Sequence, residues 1–207
     1  MMSLDQFSAL SKSKLRGSAP STWDRSDDDM NLKARMIPDG VRPKPAAVLV
    51  GVFERDGAAQ VLLTQRKSTL SKHAGQIAFP GGRLDGSETP LDAALREAEE
   101  EIGLARRFVT PLGFLDGYLT VTGYFVVPVV ARVAQGFELR AQADEVDDIF
   151  DVPLSFIMRA SNRETHSREW NGLQRHYFVY PYGDRYIWGA TAGMLKNLCD
   201  RFDHAKA

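Results

Sequence analysis

The sequence predicts an α/β protein of the α+β kind, with helices around a mixed β-sheet. Three observations lead there. Apolar runs of strand length alternate irregularly with two strongly signed helices, which argues against a repeating βαβ order. The 207 residues include 43% hydrophobic side chains, enough for one core. No internal repeat or low-complexity segment interrupts them.

In chain order, residues 1–43 read as an N-terminal extension, partly helical or irregular. Asp5 to Leu15 suits a short helix, and Asp24-Arg25-Ser26-Asp27-Asp28-Asp29 reads as a solvated loop. Pro43 and Pro45 are poor in a strand interior and close the extension. The main domain is expected over 44–207. Ala46–Phe53 is a buried strand, Arg55-Asp56-Gly57 a turn, and Val61–Thr64 a second strand. Residues 66–88 form a long Gly-rich connection, whose length marks a functional loop.

Residues 89–103 carry the clearest helix signals. Thr89 is placed as N-cap, Pro90 at the first helical position, Asp92 in the first turn and Gly103 at the left-handed end. Leu91, Ala94, Leu95, Ala98 and Ile102 share one apolar stripe. Further on, 108–119 and 122–133 read as strands, as does Val146–Val152, with a helix from Pro153 to about Ala160. Tyr177–Tyr182 and Tyr186–Trp188 form a late hairpin, and Ala190–Phe202 closes the chain as a helix with Leu195 and Leu198 inward.

Composition narrows the function. A formal net charge of −1 gives no general polyanion-binding surface, so nucleic acid is not an expected partner. No apolar N-terminal segment reads as a signal peptide, and Phe125–Ala131 is too short to span a bilayer, so no membrane partner is expected. Cys199 is the single cysteine, in keeping with a reducing, cytoplasmic setting. The four histidines lack zinc-like spacing. A homodimer is compatible with the sequence but not dictated by it.

The chemistry lies in Arg96-Glu97-Ala98-Glu99-Glu100-Glu101. Four carboxylates fall within five positions of one helix. Like charges one turn apart cost a helix roughly a few tenths of a kcal/mol per pair. Glu97 and Glu101 stand one turn apart with Glu100 beside them, while Glu99 points to solvent. From charge alone this is a solvated Glu-rich helix or a site for a hard cation such as Mg²⁺. Spacing decides between them. Five residues separate Gly82 from Glu88 and seven separate Glu88 from Arg96, and Gly103-Leu104 closes the segment. Residues 82–104 thus resemble the Nudix box, G-x5-E-x7-R-E-U-x-E-E-x-G-U with U aliphatic, at every fixed position.

The resemblance implies an α/β/α sandwich and divalent-metal-dependent hydrolysis, with Mg²⁺ or Mn²⁺, of a nucleoside diphosphate linked to another moiety. It implies Glu97 and Glu101 as metal ligands with Glu100 as a third, Arg96 orienting them, and Gly82, Glu88 and Gly103 shaping the motif. Glu145 is the expected general base, with Glu100 next. Upstream, Leu62-Leu63-Thr64, Arg66, Gly75 and Phe79-Pro80-Gly81-Gly82 are similar to the signature of the coenzyme A pyrophosphatase branch. Lys67 and Ser71 depart from it. Arg66, Lys67, Lys72 and His73 are the expected phosphate donors, with Gly75 and Gly81 allowing close backbone approach. Phe79, Tyr118, Tyr124 and Trp188 are candidates for the wall of a pantetheine channel. Coenzyme A or its acyl derivatives are the expected substrates. ADP-ribose or NADH hydrolysis is the alternative, and a non-catalytic nucleotide-binding module a further one.

Overall fold

The computed structural model describes residues 2–69, 74–170 and 172–203. Helix α1 (Leu4–Lys14) is followed by β1 (Trp23–Ser26), β2 (Lys44–Arg55), β3 (Ala58–Arg66), β4 (Ile77–Ala78) and β5 (Gly81–Arg83). Then come α2 (Pro90–Ile102), β6 (Val109–Phe114), β7 (Gly117–Leu119), β8 (Tyr124–Val133) and β9 (Val146–Pro153). Helix α3 (Leu154–Met158), the strands β10 (Glu164–Trp170), β11 (Leu173–Tyr182) and β12 (Arg185–Trp188), and α4 (Gly189–Phe202) complete the chain.

The main sheet is mixed. Its order is β1-β7-β8-β2-β3-β4, with β5 also paired to β2, β6 to β8 and β9 to β3. The pairs β1–β7 and β2–β8 are parallel, and the others are antiparallel. On one face, Ala47, Leu49, Leu62 and Val129 pack against Ala94, Leu95, Ala98 and Ile102 of α2. On the other, Val50, Val52, Leu63 and Val130 pack against α1, α3 and α4 through Phe7, Leu154, Leu195 and Leu198. This is a three-layer α/β/α arrangement. Strands β10, β11 and β12 form a separate antiparallel sheet beside it. Among the described residues no helix is long and apolar enough to cross a membrane.

Helix α2 forms where its local signals put it. Thr89 Oγ1 accepts from the Asp92 N–H at 3.2 Å, and Gly103 adopts φ 69°. Such a cap contributes about 1 kcal/mol. Burying Leu95 and Ile102 contributes roughly 1.5–3 kcal/mol each.

Several expectations are corrected. The Asp24–Asp29 run is not a solvated loop. Trp23–Ser26 is a strand, and Asp27 and Asp28 are held from inside. Asp28, 4% exposed, accepts from the N–H groups of Met36 and Ile37 and pairs with Arg175 at 2.8 Å. Asp27 accepts from the Tyr118 hydroxyl at 2.9 Å and from the Val121 N–H. All the side-chain partners lie far away in sequence, so local composition does not reveal them. Strand β2 starts at Lys44 and includes Pro45, whose carbonyl accepts from the Leu84 N–H. The strand expected over 108–119 breaks into β6 and β7. Strand β10 has no counterpart in the sequence reading, because its residues are almost all solvent-facing and carry no apolar alternation. The extension itself is packed down. Phe7 stacks on Phe202 with ring centroids 4.8 Å apart, and β1 pairs with β7.

Candidate active site

Three segments meet at the C-terminal end of β3: the turn into β5, the inner face of α2, and the turn 143–145 before β9. Strand β5 lies along β2, with Gly82 paired to Ala47 and Gly81 to Val48. This brings two backbone glycines against α2. A Cβ on Gly82 would stand 2.3 Å from Glu97 Oε1, so the Glu97 carboxylate rests on the bare α-carbon. A Cβ on Gly81 would meet the Ala47 carbonyl oxygen at 2.4 Å. The Gly81 N–H donates to Glu101 Oε2 at 3.1 Å. Arg66 Nη1 approaches Glu101 Oε1 at 3.6 Å, and its buried Nε has no hydrogen-bond partner among the described residues.

Arg96 organises the helix side. Its Nε and Nη2 take both oxygens of Glu88, at 2.8 and 3.0 Å. Nη1 donates to Glu97 Oε1 and to Glu100 Oε2, each at 2.9 Å, and Nη2 also donates to the Arg83 carbonyl. These contacts occupy all five N–H donors of a guanidinium. With Asp85 Oδ2 also 3.8 Å from Nη2, one positive charge faces four carboxylates, which leaves the cluster under-neutralised. Glu88 also accepts from the Asp85 N–H, closing the turn that delivers the chain to α2. Its carboxyl is held below the usual range, chiefly by Arg96.

Electrostatics mark the inner carboxylates. Burial pushes the Glu101 carboxyl up to about 7, aided by the charges of Glu97 and Glu145 and opposed by the Gly81 N–H and Arg66. Glu97 is raised too, mainly by burial, with Glu100 and Glu145 adding repulsion. Glu145 therefore acts on both, although it comes from a different segment. Its turn is fixed from two sides. The Gln142 N–H donates to the Glu101 carbonyl at 2.8 Å, and the Lys67 N–H donates to the Glu145 carbonyl at 2.8 Å.

Of the expected residues, Glu97, Glu101, Glu145, Arg66, Gly81 and Gly82 converge. Glu100 is mostly exposed and shares Arg96 Nη1 with Glu97. Lys67 and Gly75 do not line the cleft beside the carboxylates. Lys67 Nζ donates to the Ala143 carbonyl at 2.6 Å, and the Gly75 N–H donates to the Arg66 carbonyl to close a turn. Lys72 and His73 lie outside the described residues. Phe79 and Tyr118 are buried in the core, whereas Tyr124 lines the cleft. Lys44 and Arg83, which no motif marks as site residues, line it as well.

The donor set suits a hard divalent cation. Its inner members are carboxylate oxygens, Glu101 buried and Glu97 half-buried, short of positive charge. Among the described residues no group of three or more His, Cys, Asp or Glu forms a ready cage. Mg²⁺ is commonly held by one or two carboxylates, with waters and substrate phosphates filling the remaining positions. Glu97 and Glu101 fit that pattern.

Comparison with known proteins agrees with this geometry. A sequence model described as the NUDIX domain matches residues 42–175. The chain belongs to the Nudix hydrolase family. It is 38% identical over 176 residues to Nudix hydrolase NudL of Cronobacter sakazakii, a match spanning 81% of the chain and 87% of that protein. It is 40% identical over 166 residues to mitochondrial Nudix hydrolase 15 of Arabidopsis thaliana, spanning 76% of the chain and 58% of that protein. Among solved structures, a MutT/nudix family protein from Enterococcus faecalis superimposes with a TM-score of 0.51 at 20% identity. That likeness covers 78% of the chain and 62% of the other, and shows the fold. As a Nudix hydrolase the protein is an enzyme acting on phosphoanhydride bonds of nucleoside diphosphate derivatives, with divalent metal ions.

Proposed function

We propose that the protein hydrolyses coenzyme A or acyl-coenzyme A to 3′,5′-ADP and 4′-phosphopantetheine or its acyl form. The observation that carries this reading is the meeting of Glu97, Glu101 and Glu145 at the mouth of a cleft lined by Arg66, Arg83 and Lys44. Carboxylates at one end and cations beyond them suit a polyanion whose diphosphate is cut at the carboxylate end. The similarity of residues 62–82 to the coenzyme A pyrophosphatase signature supports the choice of substrate.

Each side chain then has a task. Glu97 and Glu101 would hold Mg²⁺ or Mn²⁺, with Glu100, which shares Arg96 Nη1 with Glu97, as the third carboxylate beside them. An ion held there would supply charge to neutralise phosphoryl oxygens and would make a water more acidic. Glu145, on its clamped turn, takes the proton from the attacking water; Glu100 is the next candidate. Arg66 donates to a non-bridging oxygen of the diphosphate. Arg96 spends all its donors on neighbours, so it positions Glu97 and touches no substrate. Lys67 keeps the 143–145 turn in place.

The test is a parallel incubation with Mg²⁺ or Mn²⁺ of coenzyme A, acetyl-coenzyme A, dephospho-coenzyme A, ADP-ribose and NADH, with products separated by chromatography. Release of 3′,5′-ADP from coenzyme A at the highest kcat/KM is expected. Preference for ADP-ribose or NADH would replace the substrate while keeping the reaction class. Absence of turnover on every member would overturn the hydrolase roles given to these residues.

A further inference from the structure

The strand registers lay a set of side chains along one face of the sheet beyond the carboxylates. Gly81 pairs with Val48 in a first row. Arg83, Ala46 and Val126 form a second, and Lys44 and Tyr124 a third. Paired residues, and residues two apart along a strand, point to the same side. This face floors an open cleft of about 730 Å³. Its near end is Gly81, whose N–H holds Glu101. Its far end, four residues along β2, lies about 13 Å away at a rise near 3.3 Å per residue.

The charge of this cleft has one sign. Lys44, Arg66 and Arg83 line it with no carboxylate among the lining residues, in a chain of formal net charge −1. Arg66 belongs to the carboxylate end through Glu101. Lys44 and Arg83 have no ion-pair partner among the described residues, and the Tyr124 phenol makes no hydrogen bond there. Lys44 and Arg83 are diagonal neighbours across β2 and β5, with Cα atoms roughly 7–8 Å apart. Two long cationic side chains at that spacing can both reach one phosphate. The small side chain of Ala46, set between Arg83 and Val126, leaves room above the sheet. In the reaction proposed above, the scissile diphosphate is met by Arg66 and the carboxylate end. The outer two cations therefore match an anion that a bare diphosphate bridge does not supply.

We infer that Lys44, Arg83 and Tyr124 form a subsite for the nucleoside end of the substrate, selecting a nucleotide that carries a phosphomonoester in addition to its diphosphate. The base lies against the Tyr124 ring, and the monoester phosphate sits between Lys44 and Arg83. The inference rests on the diphosphate-hydrolase reading above and deepens it by assigning residues to substrate choice.

The experiment is calorimetric titration of 3′,5′-ADP and of 5′-AMP into the full chain. It compares wild type, the double variant Lys44→Met with Arg83→Met, and Tyr124→Leu, with circular dichroism confirming that each folds. Wild type is expected to bind 3′,5′-ADP about 10-fold or more tighter than AMP, as charge-assisted hydrogen bonds imply. The double variant should lose that margin while AMP binding stays unchanged. Tyr124→Leu should weaken both nucleotides alike. Equal binding of the two by wild type, or equal loss of both in the double variant, would overturn the subsite. Discrimination between the nucleotides without hydrolysis of coenzyme A keeps the subsite and overturns the proposed substrate. Equal hydrolysis of coenzyme A and dephospho-coenzyme A keeps the hydrolase reading and overturns the subsite.

Discussion

Replacing Glu101 with glutamine removes a charge while keeping a carbonyl that can accept from the Gly81 N–H. In the metal-free protein the Glu101 carboxyl is pushed from 4.5 up to about 7. The folded chain therefore holds this proton across a window in which the unfolded chain has released it. Folding stability then falls as pH rises from about 4.5 to 7, the contribution being intact below that window and gone above it. A shift of about 2.5 units at 1.36 kcal/mol each is on the order of 3 kcal/mol. The residue is only 4% exposed, so solvent screening removes little of it. Urea unfolding of wild type and Glu101→Gln, both stripped of metal, reads this directly. At pH 5 the two should be close. At pH 8 the variant should be the more stable by about 3 kcal/mol. Added Mg²⁺ should stabilise wild type and leave the variant nearly unchanged. Parallel stability–pH curves for the two metal-free proteins would show that Glu101 titrates alike in the folded and unfolded chain, contrary to its burial.

Other substitutions separate folding from chemistry. Gly82→Ala should fold with a small loss of stability, because the added Cβ displaces only the mobile end of Glu97; divalent-ion binding by calorimetry and turnover should both collapse. Gly81→Ala meets the backbone of Ala47 and Val48 instead; its thermal midpoint should drop sharply, and a wild-type midpoint would contradict the packing described. Arg96→Lys cannot reproduce five directed donors. Orienting groups of this kind typically affect metal affinity about 10–100-fold, so the Mg²⁺ concentration for half-maximal activity should rise accordingly. Arg175→Met leaves Asp28 buried without its charged partner. Stability should fall by about 3 kcal/mol, with turnover per folded molecule retained.

What the sequence disclosed was what neighbouring residues determine. Helix α2 was legible to its ends, since Thr89, Pro90 and Gly103 act within one turn of where they stand. The convergence of Glu97 and Glu101 follows from helical periodicity. Glu145 was reachable only through family resemblance, because the turn that carries it is held by the Glu101 carbonyl and the Lys67 N–H from elsewhere in the chain. No motif groups Lys44, Arg83 and Tyr124. Each comes from a different strand, and only the registers of β5 and β8 on β2 align them. Asp27 and Asp28 misled for the same reason, since Tyr118 and Arg175 lie far along the chain. Strand β10 escaped because periodicity reports burial, and that strand buries almost nothing.

The most direct test of the central claim is the turnover of coenzyme A by wild type, Glu97→Gln and Glu101→Gln with Mg²⁺, read as 3′,5′-ADP released, with folding checked by circular dichroism. Both variants should remain folded, and product formation should collapse in each. Wild-type turnover in both variants would contradict the assignment of these carboxylates to the catalytic metal.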